Sequence, residues 1–361
     1  MTRVLQVVAD GRPGGGTTHV LDLLKGLGGG YDLGLVTQSG SYLSRAASEI
    51  GIHVIELDFF RSRLDWRLSG ALIKAFRAFA PDVIHAHGGR AGFWVANSRP
   101  EIPFIYTVHG YHFTGKRGIA RVAGMLAEKR IASRARVVIL VSNHDLEIGR
   151  RYGILKSGQD LRVVYNGVHR SNQRPRSGES RGIDISFIGR LEEQKDPLLF
   201  AKVMGLLPQR RAMLVGDGPK MGELCRYLAD ENIANVAVVG AKSHSDVMDI
   251  LVDTRVVVMT SRWEGLPILC LEAMSVGTPV VAAAVGGLRE IIASGRTGVL
   301  VLSRRPEDFA EAVETLLGDA GRWQEMASNA AEDISARFSI DGMLASLRTI
   351  YADAVEATTS A

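Results

Sequence analysis

From His169 to Gly182 the chain reads HRSNQRPRSGESRG, a tract without apolar periodicity in a sequence that otherwise alternates short apolar runs with helical stretches. That alternation implies parallel strands joined by helical crossovers. Its interruption near the middle of 361 residues implies that the pattern is run twice, in two domains rather than one oversized core. The expected fold class is therefore α/β, with two doubly wound Rossmann-like domains facing across a cleft. Their expected limits are residues 1–168 and 183–340, with 169–182 as a linker and 341–361 as a closing helix. Ligands of such folds bind at the carboxyl ends of the strands.

The expected strands of the first half are Val4–Val8, Leu33–Thr37, His53–Leu57, Val83–His85, Phe104–Val108, Val137–Val141 and Arg162–Tyr165. Helices are expected between them, for example Thr18–Lys25 and Leu68–Phe79. In the second half Ile183–Ile188, Ala212–Val215, Val236–Val239, Val256–Met259 and Val280–Ala283 read as strands.

Composition narrows the class further. Forty-six per cent apolar residues and 40 glycines suit a compact protein rich in tight turns. The longest apolar runs are of strand length, so no bilayer span is expected. The N-terminus, MTRVLQVVADG, reads as a first strand rather than a signal peptide, which points to the cytoplasm. Cys225 and Cys270 are too few for a disulfide framework, and no metal-ligand cluster is expected. Residues 1–170 hold 23 Lys/Arg against 13 Asp/Glu, whereas 171–361 hold 20 against 26. The first half should attract anions or an acidic surface. No basic helix, zinc module or aromatic–basic repeat that would read bases accompanies this charge, which argues against nucleic acid.

The most chemical segment is TSRWEGLPILCLEAMSVGTPVVAAAVGGLRE, residues 260–290. A strand runs into a loop holding Glu264, Pro267 opens a short helix, Glu272 lies inside it, and Gly277 closes it. Helix N–H groups suit a phosphate and carboxylates accept from hydroxyls, so a ligand with both phosphate and sugar fits. For the two glutamates alone, an exposed helix face is the alternative.

This segment resembles the Glu-x7-Glu motif of retaining glycosyltransferases of family 4, which have the GT-B fold. The resemblance extends over most of the chain, is strongest over 183–295, and points to bacterial enzymes of polysaccharide and lipid-linked glycan assembly. It implies that Glu264 contacts the donor sugar and Glu272 the nucleotide ribose, with Gly265, Leu266 and Pro267 completing the donor loop. It also implies that the final helix crosses back to the first domain.

FIGRLEEQKD, residues 187–196, resembles the family's G-R-L-x-x-x-K-G step. Arg190 and Lys195 are thereby implied to stabilise a leaving nucleoside diphosphate, though two solvated surface cations are the alternative. Asp196 stands where the family usually has glycine. Val215-Gly-Asp-Gly-Pro219 looks like the family's G-x-G-P turn, placing Gly216 and Gly218 on the nucleotide side. Asn166-Gly167-Val168 looks like its N-G-V turn, for which a tight turn is sufficient explanation.

After the first strand, Pro13-Gly-Gly-Gly-Thr-Thr-His19 would let backbone N–H groups at Gly15 and Gly16 approach a phosphate or sugar. A dinucleotide site is disfavoured, because a third glycine and an acidic residue at the end of the second strand are both missing. His109, in TVHGYHF, ends an apolar strand, where a packing role is the alternative. The resemblance implies that it contacts the donor sugar. His85 and His87 end the preceding strand, facing an acceptor or satisfied within a loop.

Residues 112–136 carry seven Lys/Arg and one acid, Glu128. Ile119, Val122, Met125, Leu126 and Ile131 lie among them, so this segment is either an amphipathic helix for an anionic membrane surface or a helix with one buried face. Arg61, Arg63, Trp66 and Arg67 are candidates for the same surface.

The expected reaction transfers a sugar, from UDP-hexose or UDP-N-acetylhexosamine, to a glycan acceptor that is lipid-linked. No cofactor and no metal are expected, because no Asp-x-Asp element is present to hold the diphosphate through a cation. A nucleotide-sugar epimerase on the same fold and a non-catalytic nucleotide-sugar-binding protein are the alternatives.

Overall fold

The computed structural model describes residues 1–60, 67–170 and 177–359, with side chains described as far as residue 356. Arg61, Arg63 and Trp66 lie outside the described residues. The chain divides into two compact units, Met1–Asn166 with Ile340–Ala361, and Gly167–Ser339.

The first unit contains β1 (Thr2–Val8), β2 (Tyr31–Gln38), β3 (His53–Leu57), β4 (Val83–His87), β5 (Phe104–Val108), β6 (Val137–Leu140) and β7 (Asp160–Val163). They form one sheet in the order β3-β2-β1-β4-β5-β6-β7, every pairing parallel. The second unit contains β8 (Ile183–Ile188), β9 (Ala212–Val215), β10 (Val236–Val238), β11 (Thr254–Met259), β12 (Val280–Ala283) and β13 (Val299–Val301). Its order is β10-β9-β8-β11-β12-β13, again parallel. Strand order reverses direction between β1 and β4 and between β8 and β11. These are the switch points where chain leaving adjacent strands diverges and opens a crevice.

Why the sheets are buried on both faces is visible in the strand sequences. In β1, Leu5 and Val7 join one apolar cluster while Val4 and Val8 join another on the opposite face. Period-two alternation with both sets buried requires helices on both sides. The last helix, Ile340–Thr359, supplies one such cover in the first unit. Ile340, Met343, Leu344, Leu347, Ile350, Tyr351 and Ala354 recur at helical spacing and are all buried in that second cluster. Each large side chain among them contributes about 1.5–3 kcal/mol of burial. Gly26 of the helix Gly15–Leu27 allows this approach, since a Cβ there would lie 2.3 Å from Leu344 Cδ1.

The structure departs from the sequence reading at several boundaries. β4 runs on to His87, so His85 and His87 are both within the strand. β7 begins at Asp160 and ends at Val163, shifted from the predicted Arg162–Tyr165, because its register runs from Val137↔Asp160 to Leu140↔Val163. β13 was not among the expected strands, although β10, equally short, was. Pro267 caps the helix Ile268–Ser275 from outside rather than opening it, and its carbonyl accepts from the Cys270 N–H at 3.1 Å.

The tract read as linker is also partly built into the second unit. Gly178–Ser180 is a 3-10 turn, and Arg181 is 6% exposed. Its guanidinium donates to the carbonyls of Leu251, Thr254, Val276 and Gly277 and to Thr278 Oγ1, at 2.6–3.4 Å. It also lies over the Trp323 ring, 5.0 Å from the centroid. One cation thereby satisfies carbonyls left over where the helices His244–Asp253 and Ile268–Ser275 end.

Candidate functional site

At the β8/β11 switch point of the second unit, the two loops that carry the motif residues are stitched together. Arg262 N–H donates to the Gln194 carbonyl at 2.7 Å, and Thr260 Oγ1 donates to the carbonyls of Lys195 and Asp196 at 2.9 Å. Within this frame Lys195 Nζ donates to Glu264 Oε1 at 2.6 Å. Ser261 Oγ donates to the same oxygen at 2.6 Å, and Gln194 Nε2 reaches Oε2 at 3.3 Å. Glu264 is 7% exposed, so it is held by charge and hydrogen bonds instead of water. Nearby Trp263 Nε1 is buried without an acceptor among the described residues. Burial, and after it the Glu264 carboxylate, push the Cys270 thiol well above its usual range, which disfavours the nucleophilic thiolate.

Glu272 lies one helix further in, 8% exposed, with Oε1 2.7 Å from His244 Nε2. The two glutamates are therefore not an exposed helix face. His244 begins the helix His244–Asp253, whose Ser243 and Asp246 form a capping box. A single histidine after a turn gives no sequence signal for this pairing. Arg190 pairs with Glu192 at 3.3 Å and remains 42% exposed.

Glycines at this end serve close approach. A Cβ at Gly216 would lie 1.9 Å from the Gly189 carbonyl oxygen, and one at Gly218 would lie 2.6 Å from that of Leu191. Gly286 and Gly287 stand in the same relation to the carbonyls of Glu264 and Gly265, at 1.9 and 2.0 Å. The GG step thus lets the Glu264–Gly265–Leu266–Pro267 loop sit directly on the following turn, with Gly287 N–H bonded to the Gly265 carbonyl at 2.8 Å.

Asp196, the departure from the family pattern, has φ +50 and ψ 61, a left-handed conformation. Glycine adopts this freely, and Asp tolerates it when its side chain is engaged. Here Oδ1 caps the helix Pro197–Gly205 by accepting from Leu199 N–H at 3.4 Å. Oδ2 takes Arg304 at 2.6 Å and Arg262 at 3.0 Å. Arg304 also donates to the carbonyls of Thr260 and Ser261, so it ties Asp196 to the Glu264 loop.

The first unit places a different set at its own switch point. Gly15 and Gly16 occupy the exposed first turn of the helix Gly15–Leu27, which has no side-chain cap and no acidic residue in that turn. Below it, three histidines converge: one nitrogen each from His19, His87 and His109 lies within 4.8 Å of the others. His87 Nδ1 is 3.2 Å from His109 Nε2, and its Nε2 is 2.7 Å from Gln6 Oε1. Gln6 Nε2 donates to Tyr351 Oη at 3.0 Å, and Tyr351 Oη is 2.7 Å from His85 Nδ1. His85 Nε2 in turn meets Thr107 Oγ1 at 2.6 Å. His85 is thus a core residue tying the last helix to the sheet, not an acceptor-facing one. Burial lowers the basicity of all four imidazoles, to about 3 for His85 and about 4 for His109. The expectation of no metal-ligand cluster is thereby corrected: counting cysteines says nothing of histidines that a helix and the ends of two strands bring together.

The basic segment forms the helix Gly118–Ala132. Ile119, Val122 and Leu126 are 89, 50 and 56% exposed, while Met125 packs on the core and Ile131 is buried. The helix is thus neither wholly free nor conventionally buried: its seat is made by Met125, Ile131 and Ala132 and by Glu128, which accepts from Tyr106 Oη at 2.8 Å. Among the described residues no helix is long and apolar enough to cross a membrane.

Comparison with known proteins agrees with this architecture. The glycosyltransferase family 4 model matches residues 13–172, and the glycosyl transferases group 1 model matches residues 169–333. A D-inositol 3-phosphate glycosyltransferase of Corynebacterium aurimucosum is 29% identical over 325 residues, 80% of this chain and 76% of that protein. The enzyme of the same name from Gordonia bronchialis is 30% identical over 307 residues, 73% of this chain and 65% of its own length. The chain thus spans about two thirds to three quarters of these relatives. Anabaena HepE, solved in complex with UDP and glucose, superposes with a TM-score of 0.84 at 20% identity, covering 98% of this chain and 100% of HepE. The two parallel sheets are those of the GT-B glycosyltransferase structures, and the chain belongs to the family 4 glycosyltransferases.

Proposed function

We propose that the chain transfers a hexose or N-acetylhexosamine from a UDP-sugar to a hydroxyl of a glycan acceptor, with the anomeric configuration retained and without a metal ion. The observation that carries this reading is the Lys195–Glu264 pair, 2.6 Å apart at the β8/β11 switch point. A sugar hydroxyl beside Glu264 has an acceptor ready, and a diphosphate beside Lys195 has a cation ready. Arg190 and the uncapped N-terminus of the helix Ile268–Ser275 supply further positive charge as the diphosphate leaves. Protein cations then take the role a bound metal would otherwise fill. Glu272 is assigned the ribose and His244 its orientation, and Gly216 and Gly218 shape the nucleotide side. His109, with Gly15 and Gly16, is assigned to the donor sugar and phosphate on the family resemblance. Departure of the diphosphate leaves a cation-like anomeric carbon, which the acceptor attacks from the face being vacated. The phosphate oxygen takes the acceptor proton, so no enzyme nucleophile is needed.

UDP is favoured because HepE was solved with UDP-glucose. The acceptor is proposed to be polyprenyl-diphosphate-linked, supported by the apolar face of Ile119, Val122 and Leu126 flanked by Lys116, Arg117, Arg121 and Arg130. Such a face suits an anionic membrane surface. The relatives' names point to a small phosphorylated polyol instead, so both acceptors belong in the test. UDP-, GDP- and ADP-sugars would be offered with each acceptor, and product configuration read by NMR. An α-linked product from an α-linked donor supports the reading. Inversion, or a free epimerised sugar, contradicts it.

A further inference from the structure

The histidine cluster of the first unit has properties that sugar contact does not require. Its hydrogen-bond polarity can be worked out from one end. Gln6 Nε2 donates to Tyr351 Oη, so Gln6 Oε1 is left as an acceptor and the proton between it and His87 belongs to His87 Nε2. His87 Nδ1 must then carry a lone pair, and it is turned toward His109 Nε2 at 3.2 Å. With no cation between them, His109 Nε2–H donates across that gap. His19 brings one ring nitrogen within 4.8 Å of these two, and its buried Nδ1 has no hydrogen-bond partner among the described residues. A buried imidazole nitrogen without a partner is costly, and three neutral imidazoles on one small volume are what a transition cation needs.

We infer that His19, His87 and His109 form a binding site for a divalent transition cation of the Zn2+ class, with the fourth coordination position left open. Imidazole donors select Zn2+, Cu2+, Ni2+ or Co2+ over Mg2+ or Ca2+. Bonds of about 2.0–2.1 Å to each nitrogen set tetrahedral ligands about 3.3 Å apart. The His87–His109 separation of 3.2 Å already meets that spacing, and the His19 nitrogen, within 4.8 Å of both, has to move closer to complete it. Gln6 is the outer partner that fixes the His87 tautomer, and Tyr351 fixes Gln6. On binding, His109 loses its Nε2 proton and carries one on Nδ1 instead, so the imidazole stays neutral. His109 is then held by the cation and withdrawn from the donor sugar. The cation is thus an inhibitor of a transfer that proceeds without it. This last consequence rests on the role proposed for His109, while the binding itself does not.

The test is Zn2+ titration of the whole chain by calorimetry, with His19→Ala and Gln6→Leu beside the wild type and their fold checked by circular dichroism. One Zn2+ per chain is expected, with affinity about 10–100-fold lower in each variant. X-ray absorption at the zinc edge of the loaded wild type should count three imidazole nitrogens, and this measurement needs no variant to fold. Fewer than three imidazoles, no binding at micromolar Zn2+, or unchanged affinity in His19→Ala would overturn the site. If Zn2+ binds as described while transfer is absent or unaffected, the role of His109 fails and the site stands.

Discussion

Lys195 and Glu264 lie 69 residues apart in the chain and meet at 2.6 Å, a cation whose side chain is 19% exposed against a carboxylate side chain that is 5% exposed. The proximity follows from topology: β8 and β11 are neighbours at the switch point, so the loops leaving them run side by side. If Lys195 stabilises departing diphosphate, Lys195→Met lowers kcat/KM about 10²–10³-fold. Glu264→Gln loses a comparable factor, and the double variant loses far less than the product of the two, because the residues act as one unit. Steady-state kinetics on the four proteins checks this.

Asp196 allows a test that separates backbone from side chain. Asp196→Ala keeps the left-handed strain at φ +50 and loses the cap and both arginine partners. It should destabilise the second unit by about 2–3 kcal/mol in urea unfolding. Asp196→Gly relieves the strain and should cost about 1 kcal/mol less. Equal losses would show that the conformation is not strained.

Arg181 should behave as a core residue despite its charge. Arg181→Met removes donors from five acceptors and should cost about 3 kcal/mol, against less than about 0.5 kcal/mol for an exposed cation such as Arg305. Thermal and urea unfolding of the two variants provide the comparison.

Glu128 predicts a pH effect with a definite sign. Burial first, then the Asp145 charge, push its carboxyl up to about 7, against a hydrogen bond from Tyr106 and the charge of Lys116, which lower it. Between about 4.5 and 7 the folded chain therefore binds more protons at this group than the unfolded chain. Its contribution to stability falls as pH rises through that window and is constant above it. Glu128→Gln should remove a loss on the order of 2 kcal/mol between pH 5 and 8. An unchanged difference between wild type and variant across that range would contradict the placement.

Much of this was legible in the residues, for reasons that also explain what was not. Buried parallel strands such as Phe104–Val108 and Ile183–Ile188 announce themselves as apolar runs, and their limits were read correctly. The Glu264 and Glu272 region was legible because EGLP, GTPVV and GG lie in one continuous segment. The double glycine proved necessary at the spot where the Glu264 and Gly265 carbonyls approach. What escaped was assembled across the chain. Arg304, His244 and Gln194 reach the site from other loops, and His19, Gln6 and Tyr351 join His87 only because the sheet and the last helix gather them. The tract at 169–182 looked featureless because Arg181 reads as a surface cation until the carbonyls it satisfies are seen.

The helix Gly118–Ala132 gives a prediction independent of catalysis. Arg117→Glu with Ile119→Asp should abolish sedimentation with phosphatidylglycerol vesicles while leaving activity on a short, lipid-free acceptor intact. Vesicle binding unchanged by the pair would remove the membrane from the account.

The central claim is metal-independent sugar transfer at the Lys195–Glu264 site. Its most direct measurement is turnover of a UDP-sugar in EDTA with acceptor present, for wild type, Glu264→Ala and Arg190→Ala. The account predicts transfer by the wild type at a rate not lowered by EDTA, and its loss in both variants. Transfer that vanishes in EDTA, or that survives in both variants, would contradict it.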